Sequence, residues 1–129
     1  MMNNWSENID LQEKSKFNSF ASDWWDPEGQ LRSLHDINPT RLNYIEDHIN
    51  LTNKKILDVG CGGGLLTEAM ASEGGLVTGI DISEQLLAVA DAHAKQADFE
   101  ITYVYTTVEE FSSDHRHVFD VITCMELLE

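Results

Sequence analysis

From residue 51 onward, short apolar runs alternate with longer stretches of helical period. Lys55–Val59, Leu76–Ile80, Ile101–Tyr105 and Phe119–Cys124 read as strands, and Leu65–Glu73 and Glu84–Gln96 as helices. Gly74 and Gly75 mark the end of the first of these helices, and Ser83 is placed to cap the second. Strands alternating with helices pair in parallel, which predicts an α/β domain built on a doubly wound sheet, with its ligand at the carboxyl ends of the strands. The first fifty residues follow another rule. Phe17, Phe20, Ala21, Trp24 and Trp25 recur on one helical face, a capping box at Asp10 and Glu13 marks a helix start, and Asp26-Pro27-Glu28-Gly29 marks its end. Asn38 as a cap with Pro39 at the first helical position predicts a second helix carrying Leu42, Ile45 and Ile49 on one stripe. The organisation expected is a helical cap over residues 1–50 and a Rossmann-like unit over 51–129.

The most informative stretch is Ile56-Leu57-Asp58-Val59-Gly60-Cys61-Gly62-Gly63-Gly64, a buried strand running into a glycine loop with an acid just before the first glycine. Asp81 closes the next strand, 21 positions after Gly60. Glycines let a backbone pass close under a ligand, and an acid at the end of the second strand accepts from both hydroxyls of a ribose. A dinucleotide fingerprint needs a third glycine where Leu65 or Thr67 stands, and a phosphate loop needs a lysine that does not follow. Asp58 would repel a pyrophosphate but suits a ligand carrying sulfonium and ammonium charges.

In this loop the chain resembles the class I S-adenosylmethionine-dependent methyltransferases. Three further stretches narrow the resemblance: Ala21-Ser22-Asp23-Trp24-Trp25-Asp26-Pro27-Glu28-Gly29, Leu34-His35-Asp36-Ile37-Asn38-Pro39-Thr40-Arg41 and Thr123-Cys124-Met125-Glu126-Leu127-Leu128-Glu129 are similar to the bacterial ubiquinone biosynthesis O-methyltransferases. The resemblance implies S-adenosylmethionine as cofactor and methylation of catechol-type hydroxyls on polyprenylated aromatic precursors, at two steps of one pathway. It implies cofactor contacts from Arg41, Gly60, Asp81 and Met125, to which the loop reading adds Asp58 and Gly62. Arg41 suits a bidentate pair with the cofactor carboxylate, and Met125 offers backbone and a soft side chain to the adenine. Trp24 and Trp25 are expected to seat the N-terminal helices, and His35 is a candidate base.

Glu126 and Glu129 share a helical face, and in eukaryotic relatives the matching Glu-x-x-Glu-His segment looks like a magnesium site. Its histidine would fall at position 130. Family members resemble a seven-stranded sheet, so the four strands read here imply an incomplete, N-terminal half of the enzyme. Such a half is expected to expose the Phe119–Cys124 edge and to be inactive by itself. A cofactor-binding remnant without catalysis, and a methyltransferase for another small molecule, are the alternatives.

Composition narrows the partners. Eight basic residues against 23 acidic ones give a formal charge of −15, which opposes nucleic acid and anionic lipid. No apolar run approaches the ~18 residues of a membrane span. Two cysteines without metal spacing fit a reducing compartment. These features, with no leader read at the start, predict a cytoplasmic protein; through the resemblance, contact with the inner membrane surface and with other ubiquinone-synthesis enzymes is added. His48, His93, His115 and His117 show no pattern beyond solvated positions.

Overall fold

Alternation within the first strand assigns the two sides of the sheet. In the computed structural model, which describes residues 4–114 and 118–125, β1 (Lys55–Val59) sends Ile56 and Asp58 to one face and Leu57 and Val59 to the other. Ile56 joins Val77, Leu66, Met70, Ile45 and Leu51 in one buried cluster; Leu57 and Val59 join Ile80 and Phe111 in another. The chain runs α1 (Asn4–Trp25), α2 (Arg32–Glu46), β1, α3 (Leu65–Ser72), β2 (Leu76–Asp81), α4 (Glu84–Gln96), β3 (Thr102–Tyr105), α5 (Val108–Asp114) and β4 (Val121–Thr123). The strands pair in parallel in the order β3-β2-β1-β4. The connection from β3 to β4 therefore crosses β1 and β2, and the direction of winding reverses beside β1, where doubly wound sheets place their ligands.

The predicted strands and the helices α3 and α4 form with small shifts at their ends, and β4 is shorter than its apolar run. Ser83 caps α4 through its Oγ, which accepts from Leu86 N–H at 3.2 Å. Gly74, at φ 90°, turns the chain out of α3, and the Gly75 N–H returns to Met70 O at 3.1 Å. Two expectations fail. Helix α1 begins at Asn4, so Asp10 lies inside it and not at its start. Helix α2 begins at Arg32, so Asn38 and Pro39 are interior; proline removes one helical hydrogen bond, but Leu31, Leu34 and His35 gain packing and a hydrogen bond against α1. One helix, α5, formed by VEEFSSD, carries no assignment in the sequence reading; Thr107 Oγ1 caps it by accepting from Glu110 N–H at 3.2 Å.

The N-terminal helices lie on the same face as α3 and α4. Trp24, 4% exposed, packs with Leu65 and Val89, flanked by Phe17, Phe20, Ala21, Trp25 and Leu34. Its indole rests on the glycine loop so closely that a Cβ on Gly63 would stand 2.6 Å from the ring. His35 Nε2 donates to Trp24 O at 2.9 Å, joining α2 to the last turn of α1. Among the described residues the other face is covered by α5, and it leaves Leu76 and Ile122 55% and 65% exposed. Strand β4 pairs with β1 alone among the described residues. No described helix is long and apolar enough to cross a membrane.

Gly63→Ala should destabilise the protein by ~1–3 kcal/mol, because the new methyl displaces the Trp24 ring. Urea unfolding measures the loss, and red-shifted tryptophan emission should accompany it.

Candidate functional site

The loop after β1 is fixed before any ligand arrives. Gly60 and Cys61 both donate backbone N–H groups to Ile80 O, at 2.9 and 3.1 Å, so the loop is laced to the end of β2. Gly60 and Gly62 hold φ values of 70° and 57°, a region costly for residues with a Cβ. Gly62 N–H then donates to Asp81 Oδ2 at 3.0 Å, and Ser83 N–H to Asp81 Oδ1 at 2.8 Å. One amide on each oxygen sets the rotamer of Asp81 and leaves further acceptor positions on both.

Asp81 borders a cleft of about 310 Å³ lined by Val59, Gly60, Ile80, Ile82, Thr106, Thr107, Val108 and Glu109. Of these, only Gly60 and Asp81 were anticipated as site residues. Ile82, 72% exposed, stands beside Asp81 as an apolar wall. The lining from Thr106 to Glu109 escaped notice because α5 did; the Thr107-x-x-Glu110 spacing is a helix-start signal that would have found it.

Asp58 belongs to the layer behind the loop. It is 3% exposed, and its two carboxylate oxygens accept from Thr67 Oγ1 at 2.8 Å and Thr123 Oγ1 at 2.9 Å. Burial pushes its pKa up to about 6; the two hydroxyls work against that shift, the nearby Asp81 charge adds to it and the Arg41 charge opposes it. Neither threonine was anticipated, since a hydroxyl meeting an acid across 65 residues leaves no local pattern.

Arg41 lies on α2, within electrostatic reach of Asp58. Asn38, one turn earlier, donates Nδ2–H to Leu65 O at 3.2 Å where α3 leaves the loop. The Met125 side chain packs partly buried against the Ile56 cluster, away from the cleft lining. His35 is engaged by the Trp24 carbonyl through Nε2, so its visible work is joining helices. Glu126 and Glu129 lie outside the described residues, as do His115 and His117. No group of three or more histidine, cysteine, aspartate or glutamate side chains placed to hold a metal occurs among the described residues.

His93 corrects the reading of a solvated histidine. Its ring stacks on Trp25 at 3.5 Å between centroids and 3° between planes, and its Nδ1 donates to Glu68 Oε2 at 2.7 Å. Burial raises the Glu68 carboxyl above its ordinary range, with His93 partly offsetting the rise. The stack ties α1 to α4, and the hydrogen bond ties α4 to α3.

The profile of the family described as "methyltransferase domain" matches residues 56–129. The ubiquinone biosynthesis O-methyltransferase of Coxiella burnetii is 53% identical over 123 residues, which are 95% of this chain and 52% of that protein. The protein of the same name from Cronobacter sakazakii is 52% identical over 125 residues, 96% of this chain and 51% of its own length. This chain thus spans about half the length of the curated relatives it matches. The crystal structure of magnesium protoporphyrin IX methyltransferase (ChlM) from Synechocystis PCC 6803 with bound SAM superposes with a TM-score of 0.68 at 20% identity, over 99% of this chain and 64% of that one. The fold is the Rossmann-like fold of the class I methyltransferases, with an incomplete sheet and preceding helices.

The raised Asp58 carboxyl sets a pH dependence. The folded protein holds this proton more tightly than the unfolded chain, whose group titrates near 3.8. The associated stability is fully present below about pH 3.8 and is lost as pH rises through about 6, a change of about 3 kcal/mol. Urea unfolding of wild type and Asp58→Asn from pH 4 to 7 should show the variant gaining on wild type by roughly that amount.

Proposed function

We propose that this chain, a member of the methyltransferase-domain family, forms the S-adenosylmethionine-binding half of an O-methyltransferase acting on catechol-type hydroxyls of polyprenylated precursors of ubiquinone. The observation that carries the cofactor reading is Asp81. It stands at the end of β2 against a cleft of about 310 Å³, a size at the lower end of small-molecule pockets, with each oxygen pinned by one loop amide. Two ribose hydroxyls would donate to the remaining acceptor positions of the two oxygens.

The remaining contacts follow from where the residues stand. Val59, Ile80, Ile82 and Val108 give the cleft an apolar lining suited to a purine, and Gly60 brings bare backbone to its wall. Arg41 would meet the carboxylate of the methionine portion, and the buried charge of Asp58 would act on the positive end of the ligand from behind the loop. Gly62 serves indirectly, by aiming Asp81. Met125 would serve through its backbone, where the chain leaves β4. When bound, S-adenosylmethionine supplies an electrophilic methyl group on a sulfonium.

The substrate class rests on the roughly half-identical relatives, named as ubiquinone biosynthesis O-methyltransferases. Magnesium binding through Glu126 and Glu129, contact with the inner membrane surface and association with other ubiquinone-synthesis enzymes belong to the same proposal and rest on the resemblance alone.

Asp81→Ala in the intact protein should weaken S-adenosylmethionine binding by ~1–3 kcal/mol, and Asp81→Asn by less, because an amide oxygen still accepts. Isothermal calorimetry checks the order. Mass spectrometry of a short-prenyl catechol incubated with the protein, S-adenosylmethionine and magnesium checks the reaction: methylated product is expected from the intact wild type, and binding without product would favour a noncatalytic cofactor-binding role.

A further inference from the structure

Asn38 is half-buried at the junction of α2 with the glycine loop, and its two amide atoms have different fates. The nitrogen is fixed by Leu65 O, an acceptor that only the amide N–H end satisfies. The oxygen is thereby turned the other way, where it is buried and has no hydrogen-bond partner in the structure. A buried acceptor without a donor is costly, so such an atom calls for an explanation.

Its position supplies one. Asn38 and Arg41 are three residues apart on α2 and share a helical face. Asn38 touches the first residue of α3, directly after Gly64, and Arg41 exerts its charge on Asp58, just before Gly60. This face of α2 thus spans both ends of the loop. A group that sat there between the Arg41 guanidinium and the Asn38 oxygen would meet a cation and an acceptor side by side, which is the complement of an α-amino acid. The carboxylate goes to the guanidinium, and the ammonium, a donor with three hydrogens, goes to the oxygen.

We propose that Asn38 is a further recognition residue of the cofactor site, its Oδ1 accepting a hydrogen bond from the ammonium group of the methionine portion. The assignment rests on the S-adenosylmethionine reading above and deepens it. Asn38 then joins two functions: its nitrogen holds α2 on the loop, and its oxygen reads the amino acid end of the ligand. A solvent molecule on the same oxygen is the competing occupant, and it would make the residue structural only.

The test compares two ligands on the intact protein by calorimetry. S-adenosylhomocysteine carries the amino acid portion, and 5′-methylthioadenosine lacks it while keeping the adenosine. Asn38→Leu loses both bonds, so it should weaken S-adenosylhomocysteine about tenfold or more beyond any weakening of methylthioadenosine, the scale of a lost bond to a charged group. Asn38→Asp keeps an acceptor for the ammonium but, like leucine, loses the donor to Leu65 O, so it is the control for that bond: S-adenosylhomocysteine should weaken no more than about threefold beyond any change in methylthioadenosine. The proposal is overturned if Asn38→Leu binds both ligands as wild type does, if it weakens both equally, or if Asn38→Asp loses S-adenosylhomocysteine relative to methylthioadenosine as fully as Asn38→Leu does. Wild type binding neither ligand would remove the cofactor reading itself, and this assignment with it. Wild type binding both with no selective loss in the leucine variant would remove this assignment alone.

Discussion

A carboxylate buried where three elements meet constrains everything above it. Asp58 links β1 to α3 through Thr67 and to β4 through Thr123, and the loop that shapes the cleft begins two residues later. An ionised acid at 3% exposure is costly, and two hydroxyl donors recover only part of that cost, which is why its pKa stands well above the ordinary carboxylate range. Arg41 and Asp81 both act on it through space, with opposite sign. The groups proposed to hold the ligand therefore share one electrostatic environment, and a change of charge at any of them is felt by the other two.

The N-terminal helices complete this arrangement from outside. Gly63 is needed because Trp24 lies where its Cβ would be, so one glycine of the loop serves the packing of α1, while Gly60 and Gly62 serve the path of the backbone. Trp25, His93 and Glu68 fasten α1 to α4 and α4 to α3 by a stack and a short hydrogen bond. His35 fastens α2 to α1. Ile45 of α2, with Leu42 beside it, packs directly on Leu66 and Met70 of α3, so α2 is held against α3 by its own aliphatic stripe and against α1 by His35.

Much of this was legible in the sequence wherever the deciding force is local. The strands, α3 and α4 follow from apolar period, Ser83 from capping and Asp81 from its position after the loop. Elements decided by tertiary contact were read less well. Pro39 has the form of a helix start, but packing of Leu34 and His35 on α1 extends α2 seven residues before it. The paired roles of Glu68 with His93, and of Asp58 with Thr123, join residues 25 and 65 positions apart and leave no periodic trace. Helix α5 is short enough that its cap is nearly its whole signal.

The two faces of the sheet divide the chemistry of the cleft between them. Asp58 and Asp81 project toward the face that carries α2 and α3, where Arg41 and Asn38 also stand. Val59 and Ile80 project toward the face that carries α5, where Phe111 of that helix packs on them and Val108 begins it. Because the pleat alternates, adjacent residues of each strand put an acid on one face and an aliphatic on the other: Asp58 and Val59 on β1, Asp81 and Ile80 on β2. A ligand lying across the carboxyl ends of β1 and β2 meets charge at one end and hydrocarbon at the other. A nucleoside joined to a charged amino acid has that same polarity along its length, and the spacing of the strands, 4.7–4.9 Å in parallel sheets generally, is what brings both ends within reach of one small molecule.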